Sequence, residues 1–443
     1  MNSSLPDTSS APALPKTLDG WLRLIERRHH TAVDLGLDRC AAVWRRMGSP
    51  MPGQQVYVVA GTNGKGSTVA TLCSLLDSLG YRIGSYTTPH IHEYNERVRL
   101  GRQVVDDQTL VNAFEQVEAA RGDTSLSYFE FGTLAAIRIL ADHGLDFAVM
   151  EIGLGGRLDA VNVLDSDCAV ITPIGLDHQE YLGPDLDSIG REKAGIMRPG
   201  KAVVCGDPNP PSSVVATARE LAAPMRVIGR DFSIEPGEQS ALYRVGGKVL
   251  ELPLPVLYGG HQLNNAVTAL AALLELVPEA SLQPDKLAHG LRSVDLKGRL
   301  ERVREYPSVW IDVGHNPLGA RVVARALSKR GGNGGQCIRC VLAMLADKDA
   351  AKVARELSRV VSHWYCAGLD GDRGQSGRRL AGRVGNAVRG ASVRVFDRVE
   401  EALSAALVEA QPTDAVLVFG SFHTADEARR MMVNWPSIER LEE

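Results

Sequence analysis

Apolar and polar positions along the chain alternate between short strand-like runs and longer segments with helical spacing. The run Gln55–Ala60 is short, rich in β-branched residues and followed by Gly61, which is typical of a buried strand. Residues 68–79 carry apolar side chains at helical spacing and stop before Gly80, where a glycine commonly terminates a helix. Similar strand-like runs recur at 82–86, 147–151, 168–172 and 202–205. Strands that alternate with helices in this way predict a parallel sheet with right-handed crossovers.

The pattern changes in the middle of the chain and then restarts. Residues 226–258 contain short strand-like runs and turns, which predict an antiparallel patch. The strand–helix alternation resumes after Lys297-Gly298-Arg299 and continues to a final strand at 415–419. We therefore predict an α/β protein with a P-loop-type, mostly parallel sheet in its N-terminal domain and a smaller, Rossmann-like C-terminal domain. The predicted limits are a disordered tail over 1–16, the N-terminal domain over 17–296 and the C-terminal domain over 297–443.

Composition narrows the function classes. The 49 basic and 53 acidic side chains give a net charge of −4, which lacks the basic excess expected of a nucleic-acid binder. No run approaches the roughly 18 apolar residues that a membrane helix needs, and the N-terminus lacks the pattern of a signal peptide. Seven cysteines in a chain of this size indicate reduced thiols in the cytoplasm. Cys337 and Cys340 have redox or metal spacing without a second pair, so we interpret them as buried structural cysteines.

The strongest local signal is the segment GTNGKGS at 61–67, which lies between a predicted strand and a predicted helix. Its glycines let backbone N–H groups turn around phosphate oxygens, and Lys65 would neutralise the outer phosphates. The strict P-loop pattern requires glycine where this chain has Val59, and Gly66 separates Lys65 from Ser67. The strand–loop–helix context favours phosphate binding over a glycine turn with an exposed lysine.

Polar side chains follow other predicted strands at their carboxyl ends, where ligands collect in open parallel sheets. Glu151 ends one strand, and Asp177-His178 follows another. A carboxylate there suits Mg²⁺, which takes hard oxygen ligands, and Thr88 offers a hydroxyl oxygen. Histidine is a less usual magnesium ligand, so a hydrogen-bonding role for His178 competes with metal binding.

The C-terminal half repeats this placement. Asp312, His315 and Asn316 lie where a predicted strand meets a helix, and Ser421 and His423 follow the last strand. Each residue alone is equally consistent with ligand contact and with helix capping. Their repeated occurrence at strand ends favours a ligand. The plain sequence does not distinguish Lys193, in a charged short helix, from a surface lysine.

A set of longer motifs occurs in a fixed order between about residues 18 and 430. The motifs are GTNGKGS (61–67), TTPH (87–90), NER (95–97), EIGLGGRLDAVNV (151–163), ITPIGLDHQEYLG (171–183), REKAGI (191–196), HQLNNA (261–266), KGRLE (297–301) and DVGHNP (312–317). In these motifs the chain resembles the bacterial bifunctional dihydrofolate synthase/folylpolyglutamate synthase family of the Mur-ligase superfamily. SLSYFEFGT at 125–133 and WYCAGLDGDRG at 364–374 resemble its bifunctional branch. Two departures are Thr87-Thr88 in place of a serine pair and Lys297 where proline is common.

The resemblance implies an ATP-dependent amide ligase. ATP would phosphorylate the carboxylate of 7,8-dihydropteroate or of a reduced folate's terminal glutamate. The amine of L-glutamate would then displace phosphate from the acyl phosphate, leaving ADP and phosphate. Positioning and charge stabilisation would supply most of the catalysis. The resemblance also implies two Mg²⁺ ions, closure of two domains, small-molecule partners and a monomer.

Site residues follow by position in the matching motifs. The implied nucleotide contacts are Gly61, Thr62, Asn63, Gly64, Lys65, Gly66, Ser67, Asn265, Arg299, Asp312 and Asn316. The implied magnesium ligands are Thr88, Glu151, His178 and Ser67. The implied catalytic residues are Lys65, Glu151, His178, Lys193 as a carbamylated lysine, and His315. The implied pterin pocket uses Thr31, Val33, Asp34, Ser127, Phe129, Asp159 and Ala160.

Other functions stay open on the sequence alone. A folylpolyglutamate synthase with a single activity, or another Mur-type amino-acid ligase, would share most of these motifs. A P-loop switch or motor NTPase is disfavoured by the broken P-loop pattern and by a second α/β domain that supplies Asp312 and Arg299. If the protein were a non-catalytic nucleotide-binding module, the polar side chains at the ends of the predicted strands would have no role.

Overall fold

The computed structural model describes residues 14–28, 34–328, 337–388 and 390–435. Most of the predicted N-terminal tail, the histidine pair 29–30, Thr31, Val33 and the glycine run 331–335 lie outside the described residues. Of the described helices, none is long and apolar enough to cross a membrane.

The structure alternates strands and helices along most of its length. The strands are β1 (Gln55–Ala60), β2 (Ile83–Tyr86), β3 (Val98–Leu100), β4 (Gln103–Val104), β5 (Phe147–Glu151), β6 (Cys168–Ile171), β7 (Ala202–Cys205), β8 (Met225–Val227), β9 (Ser233–Pro236), β10 (Ser240–Val245), β11 (Lys248–Pro253), β12 (Glu301–Arg304), β13 (Ser308–Asp312), β14 (Ile338–Leu342), β15 (Val361–Ala367), β16 (Ser392–Phe396) and β17 (Ala415–Phe419). The helices are α1 (Leu18–Arg28), α2 (Asp38–Arg46), α3 (Lys65–Leu79), α4 (Asp107–Arg121), α5 (Tyr128–Ala141), α6 (Gln179–Leu182), α7 (Leu186–Ala194), α8 (Ser212–Glu220), α9 (Gly260–Leu276), α10 (Pro284–Arg292), α11 (Pro317–Ser328), α12 (Ala350–Leu357), α13 (Gly377–Ala387), α14 (Val399–Glu409) and α15 (Phe422–Asn434). Short 3₁₀ turns cover Tyr94–Arg97, Ala160–Val163 and Pro278–Leu282.

An eight-stranded sheet in the order β4-β3-β2-β5-β1-β6-β7-β8 forms the N-terminal part. Strands β2, β5, β1, β6, β7 and β8 run parallel to one another. Strand β3 pairs with β2 in the antiparallel sense, and the edge strand β4 pairs with β3 in the same way. β5 is buried at all five positions because helices cover both faces of the sheet. The carboxyl ends of β1, β5 and β6 therefore meet at one edge, which positions the residues that follow them.

Two further sheets complete the fold. β11-β10-β9 form the small antiparallel sheet predicted within 226–258. The six-stranded sheet β12-β13-β17-β14-β15-β16 is parallel apart from the antiparallel edge strand β12. The α/β class with a second, smaller sheet is confirmed. The predicted limits of the two domains stay a prediction.

Helices α3, α9 and α10 pack on one face of the large sheet. The close approach of α10 to α3 depends on a glycine. A Cβ at Gly290 would lie 3.0 Å from the Cα of Leu75 and 3.0 Å from the carbonyl oxygen of Ser74. Ser74 donates its hydroxyl to the Gly290 carbonyl at 2.7 Å. Leu72 of α3 is completely buried in the core of this face.

One predicted helix begins earlier in the structure than in the sequence interpretation. The helix predicted at 68–79 begins at Lys65. The added residues include Gly66, which lowers intrinsic helix propensity. The cysteine interpretation is confirmed for Cys340 and wrong for Cys337. Cys337 directly precedes β14, is partly exposed and lies 2.9 Å from the Ser362 hydroxyl.

We expect Leu72→Ala to lower the free energy of unfolding by about 2–5 kcal/mol, because it leaves a cavity between α3 and the sheet. Leu282→Ala is the matched control: Leu282 is 74% exposed, so the same substitution should change stability by less than about 0.5 kcal/mol. Urea unfolding followed by circular dichroism measures both. Equal effects of the two substitutions would contradict this assignment of the core.

Candidate active site

The glycine-rich loop between β1 and α3 has a shape that only glycine permits at two positions. Gly61 and Gly64 have φ values of 150° and 93°. A Cβ at Gly61 would lie 1.8 Å from the Thr172 hydroxyl, and one at Gly64 would lie 2.6 Å from the side-chain oxygen of Asn265. The loop is therefore packed between β6 and the start of α9. It leads directly into the N-terminus of α3, which favours an anion.

Two lysines converge on one carbonyl of this loop. Lys65 donates its ammonium to the Gly61 carbonyl at 3.2 Å, and Lys193 of α7 donates to the same oxygen at 2.9 Å. Lys193 is buried, and this burial, together with the positive charge of Lys65, lowers the pKa of Lys193 to about 7. The bare sequence gives Lys193 the plain interpretation of a surface lysine, which the structure contradicts because α7 packs it beneath the loop.

Oxygen ligands gather beside the loop at the end of β5. Glu151 is buried, and one of its carboxylate oxygens accepts from the backbone N–H of Thr88 at 3.2 Å. A Cβ at Gly66 would lie 3.7 Å from the same oxygen, so the carboxylate is close to the first turn of α3, which also contains Ser67. Burial raises the pKa of Glu151, although Lys65 and Arg299 oppose this. One carboxylate and two hydroxyls form a hard oxygen donor set, which fits a magnesium ion whose remaining ligands are phosphate and water.

Arg299 approaches the loop from the connection between the sheets. A Cβ at Gly66 would lie 3.2 Å from its guanidinium, and Phe422 packs its ring 5.2 Å from the guanidinium carbon. Nearby Asp312, at the end of β13, accepts from the backbone N–H groups of Leu300 and Gly314, both at 2.7 Å. Burial raises the pKa of Asp312 and lowers that of Arg299.

Asp177 joins the carboxyl ends of the two larger sheets. Its carboxylate accepts from Asn316 at 3.0 Å and from the ammonium of Lys348 at 2.9 Å, both on the C-terminal side. His315 lies 3.6 Å from the same carboxylate. Burial would raise the pKa of Asp177, but the nearby side chains of His315, His178 and Lys348 hold it well below its usual range.

The glycine-rich loop between β1 and α3, named the phosphate loop from here on, takes part in the same junction. Polar atoms of the Asn63 and Asn316 side-chain amides lie 3.0 Å and 2.9 Å apart, so the two amides meet at this junction. The His178 Nε2 atom lies 3.3 Å from the Lys348 ammonium, and burial lowers the pKa of His178 to about 4. His178 is therefore a neutral hydrogen-bond acceptor here, which is consistent with the competing interpretation of this residue.

Several residues predicted for the pterin pocket lie together and also fix local structure. Ser127 caps α5: its hydroxyl accepts from the Glu130 N–H at 3.2 Å, and Glu130 accepts from the Ser127 N–H at 2.7 Å. Asp159 accepts from the N–H groups of Leu154 and Val161 at 2.8 Å and 3.0 Å. Burial raises the pKa of Asp159 to about 7.

The remaining pocket residues belong to neighbouring elements. Arg39 joins two of these elements, since it contacts the Asp34 carboxylate at 2.7 Å and Glu130 at 3.2 Å. The Cys40 thiol lies 3.8 Å from the Ala160 carbonyl. A Cβ at Gly153 would lie 2.6 Å from the ring of Phe129. The structure thus brings the described members of the predicted pocket to one region beside β5.

Two functional candidates were not assigned from the sequence. Lys348 lies in the loop 343–349 beyond the carboxyl end of β14, a position at which ligands collect in parallel sheets. Arg97 belongs to the NER motif, but its burial depends partly on Tyr128 of α5, which is distant in the sequence, so it has no local signal.

Comparison with known proteins agrees with this geometry. The Mur ligase middle domain matches residues 59–273, and the Mur ligase glutamate ligase domain matches residues 298–422. The dihydrofolate synthase/folylpolyglutamate synthase of Escherichia coli (strain K12) is 41% identical over 417 residues, which cover 93% of this chain and 95% of the relative.

Solved structures are similar over nearly the whole chain. The structure of Escherichia coli FolC in complex with DHPP and ADP has a TM-score of 0.89 at 39% identity, and covers 96% of this chain and 99% of that one. A bifunctional folylpolyglutamate synthase/dihydrofolate synthase with Mn, AMPPNP and L-glutamate bound has a TM-score of 0.85 at 39% identity, with 95% and 99% coverage. The chain therefore belongs to the dihydrofolate synthase/folylpolyglutamate synthase family of ATP-dependent Mur ligases.

Proposed function

We propose that the protein joins L-glutamate to 7,8-dihydropteroate and to the terminal glutamate of reduced folates. The reaction takes place in the crevice between the two larger sheets, which is bordered by the phosphate loop, Asp177 and Asn316. The observation that carries this proposal is the junction at Asp177, which sets the phosphate loop of one sheet against strand-end residues of the other. A two-sided crevice suits a reaction in which a nucleotide, an acid and an amine must meet while water is excluded.

Within this crevice the charged residues stabilise the phosphates. Lys65 and the N-terminus of α3 act from the N-terminal side, and Arg299 acts from the connection between the sheets. Glu151, Thr88 and Ser67 would hold Mg²⁺, which when bound neutralises phosphate charge. Such fixed charges lower the cost of moving the terminal phosphoryl group to the acid's carboxylate oxygen. The amine nitrogen of glutamate then forms the amide bond, and phosphate leaves with the former carboxylate oxygen.

We propose that Lys193 carries a carbamate in the active protein. Its neutral amine would attack carbon dioxide, forming the N–C bond and releasing one proton. The product is an anion beside Lys65, so the repulsion between the ammonium groups of Lys65 and the buried Lys193 becomes an attraction. The second magnesium ion, the monomeric state and the cytoplasmic location stay predictions.

The coupling of ADP release to both substrates tests the activity itself. We expect ADP to form from ATP only when L-glutamate and either dihydropteroate or a reduced folate are present, because the acyl phosphate needs an acid and turnover needs an amine. A coupled ADP assay with each substrate omitted in turn measures this. ADP release that is independent of both substrates would indicate an NTPase.

Lys65→Ala should lower kcat about 10²-fold or more with either acid, because it removes the counter-charge of the outer phosphates. Lys201→Ala is the control, since Lys201 is exposed and pairs with Asp167 at 2.9 Å away from the loop. Steady-state kinetics of both variants measure the effect. Near-normal turnover by Lys65→Ala would mean that the loop does not hold the nucleotide phosphates.

Activity should depend on carbon dioxide through Lys193. Because the pKa of Lys193 is lowered to about 7, the reactive neutral amine increases as the pH rises through that value, so carbamylation at fixed carbon dioxide should rise between about pH 6 and 8. Labelling with ¹³C-bicarbonate and carbon NMR measures the carbamate signal, which should be missing in Lys193→Ala.

Chemical rescue gives an independent check. Lys193→Ala should lose activity and regain part of it with added short carboxylic acids, which replace the carbamate. Lys65→Ala should not respond to the same acids, because it lacks a cation and not an anion. Failure to rescue, together with no carbamate signal in the unmodified protein, would contradict the proposal for Lys193.

A further inference from the structure

Among the residues that the structure describes, the buried cation Arg97 contacts only uncharged groups. The residue is 8% exposed and lies at the end of the 3₁₀ turn Tyr94–Arg97. It donates from Nε to the His90 Nδ1 atom at 3.0 Å and from Nη1 to the Thr88 hydroxyl at 3.3 Å. Its guanidinium carbon lies 5.0 Å from the ring of Tyr94 and 5.8 Å from the ring of Tyr128.

In the part of the chain that the structure describes, no carboxylate lies within ion-pair distance of Arg97, whose hydrogen bonds go to His90 and Thr88. Because arginine does not lose its proton in proteins, Nε must be the donor to His90, so that histidine is the neutral tautomer with its proton on Nε2. Two aromatic rings stabilise a cation only partly, and a buried charge is normally paired with an opposite charge. Arg97 is therefore suited to receive an anion from outside the chain.

The surrounding segment holds Arg97 rigidly. The Glu96 carboxylate accepts from the backbone N–H groups of Ile91, His92 and Glu93 at 2.9–3.0 Å. The side chain of Asn95 donates to the Val105 carbonyl at 3.0 Å and to Asp107 at 2.9 Å. A cation fixed in this way loses little entropy when it binds a ligand, which favours affinity.

The position of Arg97 links two regions of the proposed active site. On one side it contacts Thr88, whose N–H donates to Glu151 beside the phosphate loop. On the other side it packs on Tyr128, which lies between Ser127 and Phe129 of the predicted pterin pocket. A group bound by Arg97 would thus lie between the bound pterin and the carboxylate that receives phosphate.

The two acids differ in the charge that they bring to this position. Dihydropteroate has a single carboxylate, which becomes the amide. The terminal glutamate of a folate has two carboxylates, and the one that is not activated stays charged a few bonds from the reacting carbon. We propose that Arg97 binds this second carboxylate and so serves the polyglutamylation activity specifically. This inference rests on the function proposed above.

The incoming L-glutamate also has carboxylates, and it takes part in both reactions. If Arg97 bound that amino acid instead, its loss would damage both activities equally. The arrangement favours the folate, because every residue that contacts Arg97 belongs to the N-terminal sheet and its helices, beside the predicted pterin pocket. The two sources are separated by comparing the two acids at saturating glutamate.

The test measures kcat/KM of Arg97→Gln with dihydropteroate and with tetrahydrofolate. We expect a loss of about 10²-fold with tetrahydrofolate and of less than about 5-fold with dihydropteroate, since only the former loses a charged hydrogen-bond partner. Arg97→Lys, which keeps the charge, should recover about tenfold of the tetrahydrofolate loss. Arg99→Gln is the matched control, because it removes one positive charge from the adjacent strand, where Arg99 contacts the Arg102 carbonyl.

A substrate analogue tests the same contact without depending on the folding of a variant. A tetrahydrofolate whose terminal residue keeps only the reacting carboxylate should be used about 10²-fold less efficiently than tetrahydrofolate by the unmodified protein. Arg97→Gln should use the two folates equally well. Equal losses with both acids, or an unmodified protein that does not distinguish the two folates, would overturn the assignment of Arg97. Failure of the proposed function would appear differently, as no product from either acid in the unmodified protein.

Discussion

The junction between the two larger sheets depends on one largely buried carboxylate, that of Asp177, whose side chain is 11% exposed. Asp177 follows β6, yet its ionised form is stabilised by Lys348 and Asn316, which follow strands of the other sheet. A buried charge without these partners would cost several kcal/mol, so the low pKa of Asp177 requires the two strand ends to meet. The approach of the sheets is thereby linked to the same residues that border the phosphate loop.

The electrostatics of the crevice are arranged for anionic ligands. Lys65, Lys193 and Arg299 surround the phosphate loop, while two nearby carboxylates, those of Glu151 and Asp312, have raised pKa values because they are buried. Fixed cations that are already desolvated need little reorganisation when charge develops on a phosphate. The carbamate proposed for Lys193 would correct the least favourable part of this arrangement, two ammonium groups that share the carbonyl of Gly61.

The features that the sequence predicted correctly are local, and those that it missed depend on tertiary contacts. The strand, glycine turn and helix around Lys65 are contiguous, so periodicity and glycine placement were sufficient to identify the turn. The environment of Lys193 is different, because its burial comes from packing of α7 beneath a loop 132 residues away in the chain. Ser127 and Asp159 were predicted only as ligand contacts. In the structure Ser127 also caps α5, and Asp159 also caps the 3₁₀ turn Ala160–Val163. Lys348 acquires its role only through a carboxylate from the other sheet.

The amide pair between Asn63 and Asn316 has a consequence for the release of ADP. Each bond joins neutral groups, and such a bond contributes only about 0.5–1.5 kcal/mol net, so parting the pair costs little. A charged pair at this position would resist separation much more strongly. The contact between Asn63 and Asn316 is thus weaker than the charged contact between Asp177 and Lys348. We therefore expect the amide pair to separate when ADP leaves, while Asp177 keeps the two halves aligned.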